Sequence, residues 1–543
     1  MALASSLRVS HRPRYPSLPQ RFACGFALLM VTVSLVVVRD LTGLRLAIDE
    51  SPPVAFRRSS HAVSPLWHRS MARYAAQSMR DFFRQRASVL SADQAAVVEM
   101  TKHAWRAYRR WGNWSDSLNL VNKTGSTEFD HDMAYSVLDA LDTLFIMGLH
   151  EEFDEASEWA TASLRQQMFQ TGYVSFFETS VRSLGGLLSA FYLSGETPFL
   201  ELAAELGDNL QQSFVCGMTT PCRYVDLVNH TGGGYPTLAE ANSFQLEFGM
   251  LAQFTKKSIY REHVDTMNEI MESMTERYYG DGLVPEHIDW DAERGFSANI
   301  SFGCLSDTYY EYLLKQWIRT GKNDDRLKSR YLAAIDGMSS RLLVQSKTSN
   351  LSFVGGLDTN GKLIPRMDHL SCFLPGTLAL GAFHGLPTRH FELAESLMNG
   401  CIQMYRASES GLAPDAVNFK LNTEEDVEMT VEPQDDFNIL RPEVIESLFV
   451  LYRVTGNDVY RSYGREIMQA FETHSKLDDG GYQGTQHVFH GPVSPFGAKM
   501  EGFVVGETFK YLYLLFSDAE LLPLDQVIFN SKAHPFPIAV ADA

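Results

Sequence analysis

The chain has 543 residues, of which 45% are hydrophobic and 12% aromatic, so it is long and apolar enough to bury a large core. Its 47 basic and 66 acidic residues give a formal net charge of −19. An acidic chain repels the phosphate backbone, which argues against a nucleic-acid partner.

The N-terminal segment has the pattern of a membrane anchor. Residues 22–38 form an uncharged run, basic residues precede it, and no acidic residue occurs before Asp40. The run is at the short end for a membrane-spanning helix, and no clear cleavage site follows it. We therefore predict a cytosolic tail over residues 1–21, a transmembrane signal anchor over 22–38, a luminal stem over 39–95 and a main domain over 96–540, with a cleaved signal peptide as the alternative.

Blocks of similar pattern follow one another along the main domain. They begin near Asp139, Leu184, Gln245, Tyr310, Thr377, Val444 and Thr508. Each block holds a helix that is apolar nearly all round, often a glycine-containing turn such as Ser194-Gly195, and then a more polar helix. The pattern predicts an all-α fold of about seven helix pairs, with the apolar helices in an inner ring and the polar ones outside. An open superhelix is the alternative, but it would expose the apolar helices along one edge.

Two stretches each place a carboxylate and an arginine just ahead of an apolar helix. One contains Glu178 and Arg182, and the other contains Arg441 and Glu443. Paired carboxylates held by positioned cations are what acid–base work on a glycosidic bond requires. A single such glutamate is more often a helix cap, so the inference depends on the recurrence of the pattern along the chain.

The inner helices of two concentric rings bring one end of each block to a common axis. The candidates there are Asp139, Glu178, Arg182, Glu240, Glu247, Asp307, His369, Arg441, Glu443, Glu446 and Glu507. One or two acids on a solvated rim would compensate helix dipoles, but eight are harder to explain in that way. A ring of acids in a cavity is costly unless a cation or polar ligand lies there, and hard oxygen donors favour calcium over zinc.

Sequons and cysteines agree with a luminal location. The sequons begin at Asn113, Asn122, Asn229, Asn299 and Asn350. Each match is weak alone, but together they fit a domain that follows a membrane anchor. Cys216 and Cys222 are close enough in sequence to close a small loop, and Cys372 and Cys401 could join two blocks.

With these motifs in view, the chain from about residue 95 to 538 resembles glycoside hydrolase family 47, the class I α-1,2-mannosidases of the secretory pathway. The resemblance is carried by LDALDTLFIMGL at 138–149, FETSVRSLGGLLSAFYLS at 177–194, LAE at 238–240, DTYYEYLLKQWI at 307–318, MDHLSCFLPGTLALG at 367–381, LRPEVIESLF at 440–449, GETFKYLYLLF at 506–516 and FNSKAHP at 529–535. It implies an (α/α)7 barrel that removes terminal α-1,2-linked mannose from high-mannose N-glycans, with inversion at the anomeric carbon and a bound calcium ion.

The resemblance also implies roles for particular residues. Glu178 corresponds to the general acid, Glu443 to the favoured general base and Asp307 to a further essential carboxylate, and the sequence leaves open which of them handles which proton. Inversion needs a water molecule between the base and the sugar, so the working carboxyls should lie roughly 6.5–9.5 Å apart. The other implied positions are Arg182, Glu240, His369, Arg441, Phe503 and Glu507 around the sugar and the ion, Ser531 as calcium ligand, and the disulfide Cys372–Cys401.

The chain departs from the family's pattern at three places, one of which is the approach to the first inner helix at residues 129–132; the other two concern the site. The family's Asn-Thr-Glu-Ala-His-Pro is Asn-Ser-Lys-Ala-His-Pro here, so Ser531 keeps both oxygens of the usual threonine ligand, whereas Lys532 replaces an acid by a cation. Lys532 should weaken calcium binding unless its side chain points away. Leu305 stands where reticulum-type enzymes carry Arg and Golgi-type enzymes carry Leu. Without that charged contact, branch selectivity should relax, and we expect Golgi-like removal of several mannoses.

The leading hypothesis is a calcium-dependent mannosidase that acts on N-glycans as a monomer. It would be a single-pass type II protein of the Golgi or endoplasmic reticulum membrane, with its catalytic domain in the lumen. The alternative is a glycan-binding quality-control factor of the degradation-enhancing branch, with weak or no hydrolysis. Lys532 favours this alternative, and the intact carboxylate set disfavours it.

Overall fold

The computed structural model describes residues 73–215, 220–290, 294–295, 299–345, 351–419 and 429–539. All of them belong to a compact unit that spans residues 51–543, the other unit being residues 1–50. The predicted tail, the predicted anchor and most of the predicted stem lie outside the described residues. Within the described ranges, no helix is long and apolar enough to cross a lipid bilayer.

Seven inner helices can be followed in the described part of the chain. In order, inner helices 1 to 7 comprise Tyr135–Ile146; Phe176–Glu178 with Thr179–Leu184 and Gly185–Ser194; Gln245–Thr255; Asp307–Arg319; His369–Phe373 with Leu374–Phe383; Glu443–Thr455; and Val504–Phe509 with Lys510–Phe516. Each packs against the next, and inner helix 7 packs against inner helix 1, so the ring closes. Their side chains are buried on most sides, as the all-apolar runs predict. The predicted (α/α)7 barrel is confirmed, and the open superhelix is wrong.

Outer helices surround this ring. Outer helices 1 to 6 each follow the inner helix of the same number and comprise His150–Trp159 with Ala160–Leu164 and Arg165–Met168; Thr197–Leu210 with Gln211–Val215; Ser258–Tyr278; Asp325–Arg341; Arg389–Arg406; and Val459–His474. Outer helix 7 comes from the start of the domain, where Ala92–Ala107 and Tyr108–Gly112 pack against inner helix 7. One face of each outer helix is buried and the other is exposed, in agreement with the predicted water-facing ring.

A further helix lies inside the segment predicted as stem. It spans Arg73–Ala87 and packs against inner helices 1 and 2. Phe83 is fully buried there, with its ring centroid 5.5 Å from that of Phe145. The folded part of the chain therefore begins before residue 96.

The two ends of the barrel have different connections. At one end, short turns join inner helices to their outer partners, and Gly195 and Gly456 end inner helices 2 and 6 with φ angles of 72° and 71°, which favour glycine. At the other end, longer connections lead into the N-termini of the inner helices. The short strands lie in these connections, so we call this the hairpin end of the barrel.

The described strands are two to four residues long and pair antiparallel. They are Ser117–Asn119, Thr124–Ser126, Tyr173–Ser175, Tyr224–Asp226, Thr231–Gly233, Ile288–Asp289, Arg294–Gly295, Leu343–Gln345, Ser352–Val354, Gly356–Leu357, Leu363–Ile364, Arg366–Asp368, Ala416–Phe419, Met429–Thr430, Phe437–Asn438, Thr485–Gln486, Ser494–Pro495, Lys499–Met500, Val527–Phe529 and Pro535–Pro537.

The last two strands form a separate element that we call the axial hairpin. Ile528 pairs with Phe536 in its centre. The hairpin follows inner helix 7, so it starts from the end opposite the other strands, and it packs against inner helices 2 and 4. All six strand residues are buried. The axial hairpin therefore fills the inside of the barrel and carries its loop, residues 530–534, towards the axis.

The disulfide implied by the resemblance is present. Cys372 and Cys401 are bonded, with their Cα atoms 6.0 Å apart, and they join inner helix 5 to outer helix 5. Cys222 is also disulfide-bonded, whereas Cys216, its predicted partner, lies outside the described residues.

Inner helices 1 and 2 approach each other too closely for any side chain at Gly186. A Cβ atom there would lie 2.4 Å from the carbonyl oxygen of Leu138. We expect Gly186→Ala to lower the free energy of unfolding by about 1–3 kcal/mol, because the helices must move apart. Gly280→Ala is the matched control, since its Cβ would meet no atom within 4 Å, and it should stay within about 0.5 kcal/mol of wild type. Urea unfolding measures both, and equal effects would contradict the close approach.

Candidate active site

Three predicted carboxylates lie at the N-terminal ends of inner helices. Glu178 is the third residue of inner helix 2, Asp307 is the first residue of inner helix 4, and Glu443 is the first residue of inner helix 6. Helix N-termini favour negative charge, so these positions suit ionised carboxylates. All three side chains are only partly buried, which leaves each of them some access to solvent at the hairpin end.

An arginine one turn later holds Glu178. Arg182 Nε lies 2.8 Å from Glu178 Oε2, and Arg182 Nη1 lies 3.6 Å from Asp139 Oδ2 on inner helix 1. Burial acts to raise the pKa of Glu178, but the charges of Arg182, Lys532 and Lys499 outweigh burial and lower the pKa below its usual value. Glu178 is therefore ionised at neutral pH.

A histidine holds Glu443. His369 Nδ1 is 2.9 Å from Glu443 Oε2, and His369 Nε2 is 2.8 Å from the hydroxyl of Tyr405 on outer helix 5. Burial acts to raise the pKa of Glu443, but the hydrogen bond with His369, together with the charge of Arg441, outweighs burial and lowers it. Glu443 is thus an ionised carboxylate with one oxygen held in place, which is the state that a general base needs.

Asp307 has the opposite tendency. Burial raises its pKa to about 7; the backbone N–H of Thr308, which donates to Asp307 Oδ1 at 2.8 Å, opposes this, and the charges of Asp368, Glu311 and Glu443 add to it. Asp307 can therefore keep a proton close to neutral pH. A carboxyl that keeps its proton near neutrality suits a general acid.

Glu446, one turn after Glu443, belongs to a buried charge cluster. Lys315 Nζ is 3.1 Å from Glu446 Oε1 and also pairs with Glu311, and the Tyr511 hydroxyl donates to Glu446 Oε1 at 3.2 Å. Burial raises the pKa of Glu446 to about 7. These contacts join inner helices 4, 6 and 7, so the part that Glu446 plays in the structure is to hold neighbouring helices together.

Two residues predicted to bind substrate make firm contacts within the protein. Glu240 forms a capping box in which the backbone N–H of Thr237 donates to Oε2 at 2.8 Å, and Arg223 Nε donates to Glu240 Oε1 at 2.9 Å. Arg441 Nε donates to Asp415 Oδ1 at 2.6 Å. These contacts fix both side chains at the hairpin end. Their contact with substrate stays a prediction.

The predicted specificity position has an unusual backbone. Leu305 has a φ of 73°, in the left-handed region that residues with a side chain rarely adopt. Its carbonyl oxygen accepts the backbone N–H of Ala239 at 2.9 Å, which holds the turn in place. Leu305 is half-buried just ahead of inner helix 4, while Phe503 is 9% exposed just ahead of inner helix 7. Both are therefore at the hairpin end, and their sugar contacts stay predictions.

The loop of the axial hairpin reaches the ring of acids. Asn530 Nδ2 donates to Glu247 Oε1 at 2.8 Å and to the carbonyl of Val181 at 2.9 Å. Lys532 Nζ lies 3.4 Å from Glu507 Oε1. Burial raises the pKa of Glu507 to about 8, although the charge of Lys532 opposes this. The side chain of Lys532 thus points towards the acids and not away from them.

A fully buried charge network fixes the base of that loop. Lys510 Nζ is 2.7 Å from Asp142 Oδ1 and donates to the carbonyl of Ala533 at 2.9 Å, while His534 Nδ1 is 2.8 Å from Asp142 Oδ2. Ser189 Oγ also donates to Asp142 Oδ2 at 2.8 Å. The charged side chains are 0% exposed. The network ties inner helices 1, 2 and 7 to the axial hairpin.

Several buried oxygen atoms near this loop have no hydrogen-bond partner among the described residues. They belong to Asp139, Glu247 and Glu507. Oxygen donors of this kind suit calcium better than a soft metal, so the residues present fit the implied cation. In the described ranges, no group of three or more His, Cys, Asp or Glu side chains has the arrangement of a metal site.

Sequence reasoning missed the partners of the predicted residues. Asp142, Lys510 and His534 are not among the predicted site residues, although a lysine inside the apolar run KYLYLLF is itself a signal of a buried ion pair. Tyr405 carries no such signal, because a tyrosine on the buried stripe of an outer helix is ordinarily part of the packing. Its contact with His369 is visible only in three dimensions.

Comparison with known proteins gives a consistent result. A family model for glycosyl hydrolase family 47 matches residues 100–538. The endoplasmic reticulum mannosyl-oligosaccharide 1,2-alpha-mannosidase of Homo sapiens is 42% identical over 460 residues, which cover 82% of this chain and 64% of that protein. The mannosyl-oligosaccharide 1,2-alpha-mannosidase MNS3 of Arabidopsis thaliana is 36% identical over 501 residues, covering 82% and 79%. This chain thus spans less than two thirds of the human relative's length.

A solved structure supports the fold. The alpha-1,2-mannosidase from Trichoderma reesei superposes with a TM-score of 0.75 at 23% sequence identity, covering 82% of this chain and 99% of that one. The likeness thus covers about four fifths of this chain and nearly all of the other one.

The network at the base of the loop makes a strong prediction about stability. Asp142→Asn leaves the ammonium group of Lys510 buried without a carboxylate, so we expect the free energy of unfolding to fall by about 3–5 kcal/mol. Asp336→Asn is the control: it removes an exposed ion pair with Arg389 of similar length, 2.9 Å, and should cost about 1 kcal/mol or less. Urea unfolding compares the two. A loss below 1 kcal/mol for Asp142→Asn would contradict a supporting role for the network.

Proposed function

Because the chain belongs to glycosyl hydrolase family 47, we propose that it hydrolyses terminal α-1,2-linked mannose from high-mannose N-glycans. The observation that carries the proposal is the placement of Glu178, Asp307 and Glu443 at the N-terminal ends of inner helices 2, 4 and 6, all at the hairpin end of the barrel. The pKa values of Glu178 and Glu443 are lowered there, while that of Asp307 is raised to about 7. Carboxyls whose pKa values are pushed apart are what acid–base cleavage of a glycosidic bond needs. The names of the human and Arabidopsis relatives agree with this substrate.

Glu443 is the general base in this proposal. Its carboxylate takes a proton from a water molecule, which attacks the anomeric carbon and inverts it, while the leaving oxygen receives a proton from an acid. Glu178 and Asp307 are the two candidates for this acid. Asp307 is the one that carries a proton near neutral pH, whereas Glu178, the general acid by resemblance, is ionised beside Arg182.

The same proposal includes a calcium ion at Ser531. The hydroxyl and backbone carbonyl oxygens of Ser531 would hold the ion, which would contact sugar hydroxyls and favour a distorted ring. The position of Ser531 supports this, since its neighbours Asn530 and Lys532 place the loop against Glu247 and Glu507. Lys532 acts against it, because its ammonium group already lies 3.4 Å from Glu507. We therefore expect weak calcium affinity.

Specificity and location follow from weaker observations. Leu305 offers no charged contact to the glycan branches, which supports removal of several mannoses in the manner of Golgi-type enzymes. The human relative is named for the endoplasmic reticulum, which supports a secretory-pathway location. Anchoring through residues 22–38, a luminal barrel and a monomeric state complete the proposal.

Lys532 favours one alternative function. A cation between the axial hairpin and Glu507 could disable calcium binding and leave a glycan-binding quality-control factor with weak or no hydrolysis. The presence of all three carboxylates, Glu178, Asp307 and Glu443, favours hydrolytic activity over this alternative. The two functions differ in whether a nine-mannose glycan is shortened under saturating calcium.

Removal of any of the three carboxylates should abolish most activity. We expect Glu178→Gln, Asp307→Asn and Glu443→Gln each to lower kcat on a nine-mannose glycan by about 10²–10⁴-fold, because each removes a proton donor, a proton acceptor or a transition-state charge. Mass measurement of the glycan products gives both the rate and the number of hexoses lost. Glu466→Gln, an exposed change on outer helix 6, should leave the rate unchanged. Unchanged turnover in any of the three variants would remove that residue's role.

The pH dependence tests the acid assignment. Since the pKa of Asp307 is about 7, wild-type kcat/KM should fall as pH rises through about 7 and the proton leaves. The residual activity of Asp307→Asn should lack this alkaline limb, whereas that of Glu178→Gln should keep it. The reverse result would assign the proton to Glu178.

Calcium affinity tests the placement of Lys532. Lys532→Glu should bind calcium at least about tenfold more tightly than wild type, because it changes the local charge by two units beside the oxygen donors. Thermal unfolding of the chelator-treated full-length protein against calcium concentration measures this, since a ligand that binds only the folded state raises Tm. Lys362→Glu, the same change on an exposed turn, is the control.

Either result of the calcium experiment is informative. A larger calcium-dependent rise of Tm in Lys532→Glu alone would support the site, and an identical rise in all three proteins would contradict it. A nine-mannose glycan that survives wild-type protein at saturating calcium, but is trimmed by Lys532→Glu, would favour the quality-control alternative.

A further inference from the structure

The carboxylate assigned as general base lies at the end of a three-residue chain of hydrogen bonds. Glu443 Oε2 is 2.9 Å from His369 Nδ1, and His369 Nε2 is 2.8 Å from the hydroxyl of Tyr405. His369 is 1% exposed and Tyr405 is 3% exposed, so bulk water has little access to either contact. Among the described residues, Glu443 and Tyr405 are thus the groups that satisfy the two ring nitrogens.

The chemistry of the three groups decides which atoms donate. An ionised carboxylate can only accept, so His369 Nδ1 must carry a proton. In a neutral imidazole, Nε2 is then an acceptor and needs a donor. Tyr405 can supply it, because burial and the charge of Glu443 raise the pKa of the phenol above its usual value and keep it protonated.

A disulfide joins the backbone near His369 to the backbone near Tyr405. Cys372 lies three residues after His369, and Cys401 lies four residues before Tyr405. Each cysteine is therefore about one helical turn from one of the two hydrogen-bonded side chains. The disulfide Cys372–Cys401 connects the two turns. The backbone N–H of His369 also donates to the carbonyl of Asp415 at 2.8 Å. The imidazole and the phenol therefore have little freedom to separate.

We propose that Tyr405 is a positioning residue for the hydrolysis: its hydroxyl donates to His369 Nε2, holds the imidazole with its proton on Nδ1, and thereby orients the carboxylate of Glu443. Tyr405 acts through His369 from outer helix 5. The inference rests on the proposed function, because it needs Glu443 to serve as the base.

Loss of the hydroxyl has a defined consequence. In Tyr405→Phe, His369 Nε2 becomes a buried acceptor without a donor, which is costly. The tautomer with its proton on Nε2 then competes, and Nδ1 turns a lone pair towards Glu443. That lone pair raises the pKa of Glu443, so a larger fraction of the base is protonated at a given pH.

Steady-state kinetics of the full-length protein on the nine-mannose glycan test this. Tyr405→Phe should lower kcat by about tenfold with KM within about twofold, since one hydrogen bond to a working group is lost, and the acid limb of kcat/KM should move to higher pH. In a His369→Asn background, Tyr405→Phe should cause no further loss. Tyr463→Phe is the matched control, because it removes a tyrosine hydroxyl on outer helix 6, where the guanidinium of Arg406 lies over the ring of Tyr463. This variant should keep the wild-type rate and pH profile.

A spectroscopic readout makes the test independent of activity. Nitrogen-15 chemical shifts of labelled histidine distinguish the two tautomers, and the signals of His369 are those that vanish in His369→Asn. The wild type should show the proton on Nδ1, and Tyr405→Phe should shift population towards Nε2. A wild type without hydrolysis would refute the proposed function, while these spectra still decide the role of Tyr405. A wild-type signal from the Nε2 tautomer would overturn the inference, and so would unchanged kinetics and an unchanged pH profile in Tyr405→Phe. If the variant fails to fold, the wild-type spectrum alone still tests the predicted tautomer.

Discussion

The ion pair between Lys510 and Asp142 is the interaction on which the rest of the site depends. It lies where inner helices 1 and 7 meet, with both side chains fully buried, and His534 attaches the axial hairpin to the same carboxylate. Two isolated charges at this depth would be very costly, so each stabilises the structure only with the other present. The hairpin in turn carries Ser531 and Lys532 to the acids. Without the pair, the loop of the axial hairpin would lose the charged contacts that join it to inner helices 1 and 7.

The acids of the barrel are compensated by cations of the same chain. Arg182 contacts Glu178, Lys532 lies near Glu507, and elsewhere in the ring Lys315 pairs with Glu446. Contacts with Arg182 and His369 outweigh burial at Glu178 and Glu443, whose pKa values are lowered. Burial dominates at Asp307, and it also dominates at Glu446 and Glu507 in spite of their lysines, so the pKa values of these three carboxyls are raised. One end of the barrel thus holds carboxyls of both kinds, and this difference is the basis of the proposed chemistry.

The ring of helices could be predicted from sequence because burial on all sides leaves a continuous apolar run, which is a local signal. Glu178 and Glu443 could also be predicted as site residues, since each stands just ahead of such a run. The direction of Lys532 and the relay behind Glu443 could not be predicted, because they depend on side chains that are distant in sequence and meet only when the ring closes. Glu240 shows the same limit: the motif predicts substrate binding, which stays a prediction, but it does not indicate the helix cap and the ion pair that hold both oxygens of the carboxylate.

The closure of the ring has a consequence for synthesis of the protein. Outer helix 7 begins at Ala92, yet it packs on inner helix 7, which ends at Phe516, so the first barrel helix to leave the ribosome meets its partner among the last. Contacts across on the order of 400 residues are slow to form and leave apolar surface exposed in the meantime. Residues 530–534 are made later still. A nascent chain therefore lacks the closed ring and the loop of the axial hairpin at every length short of about residue 530.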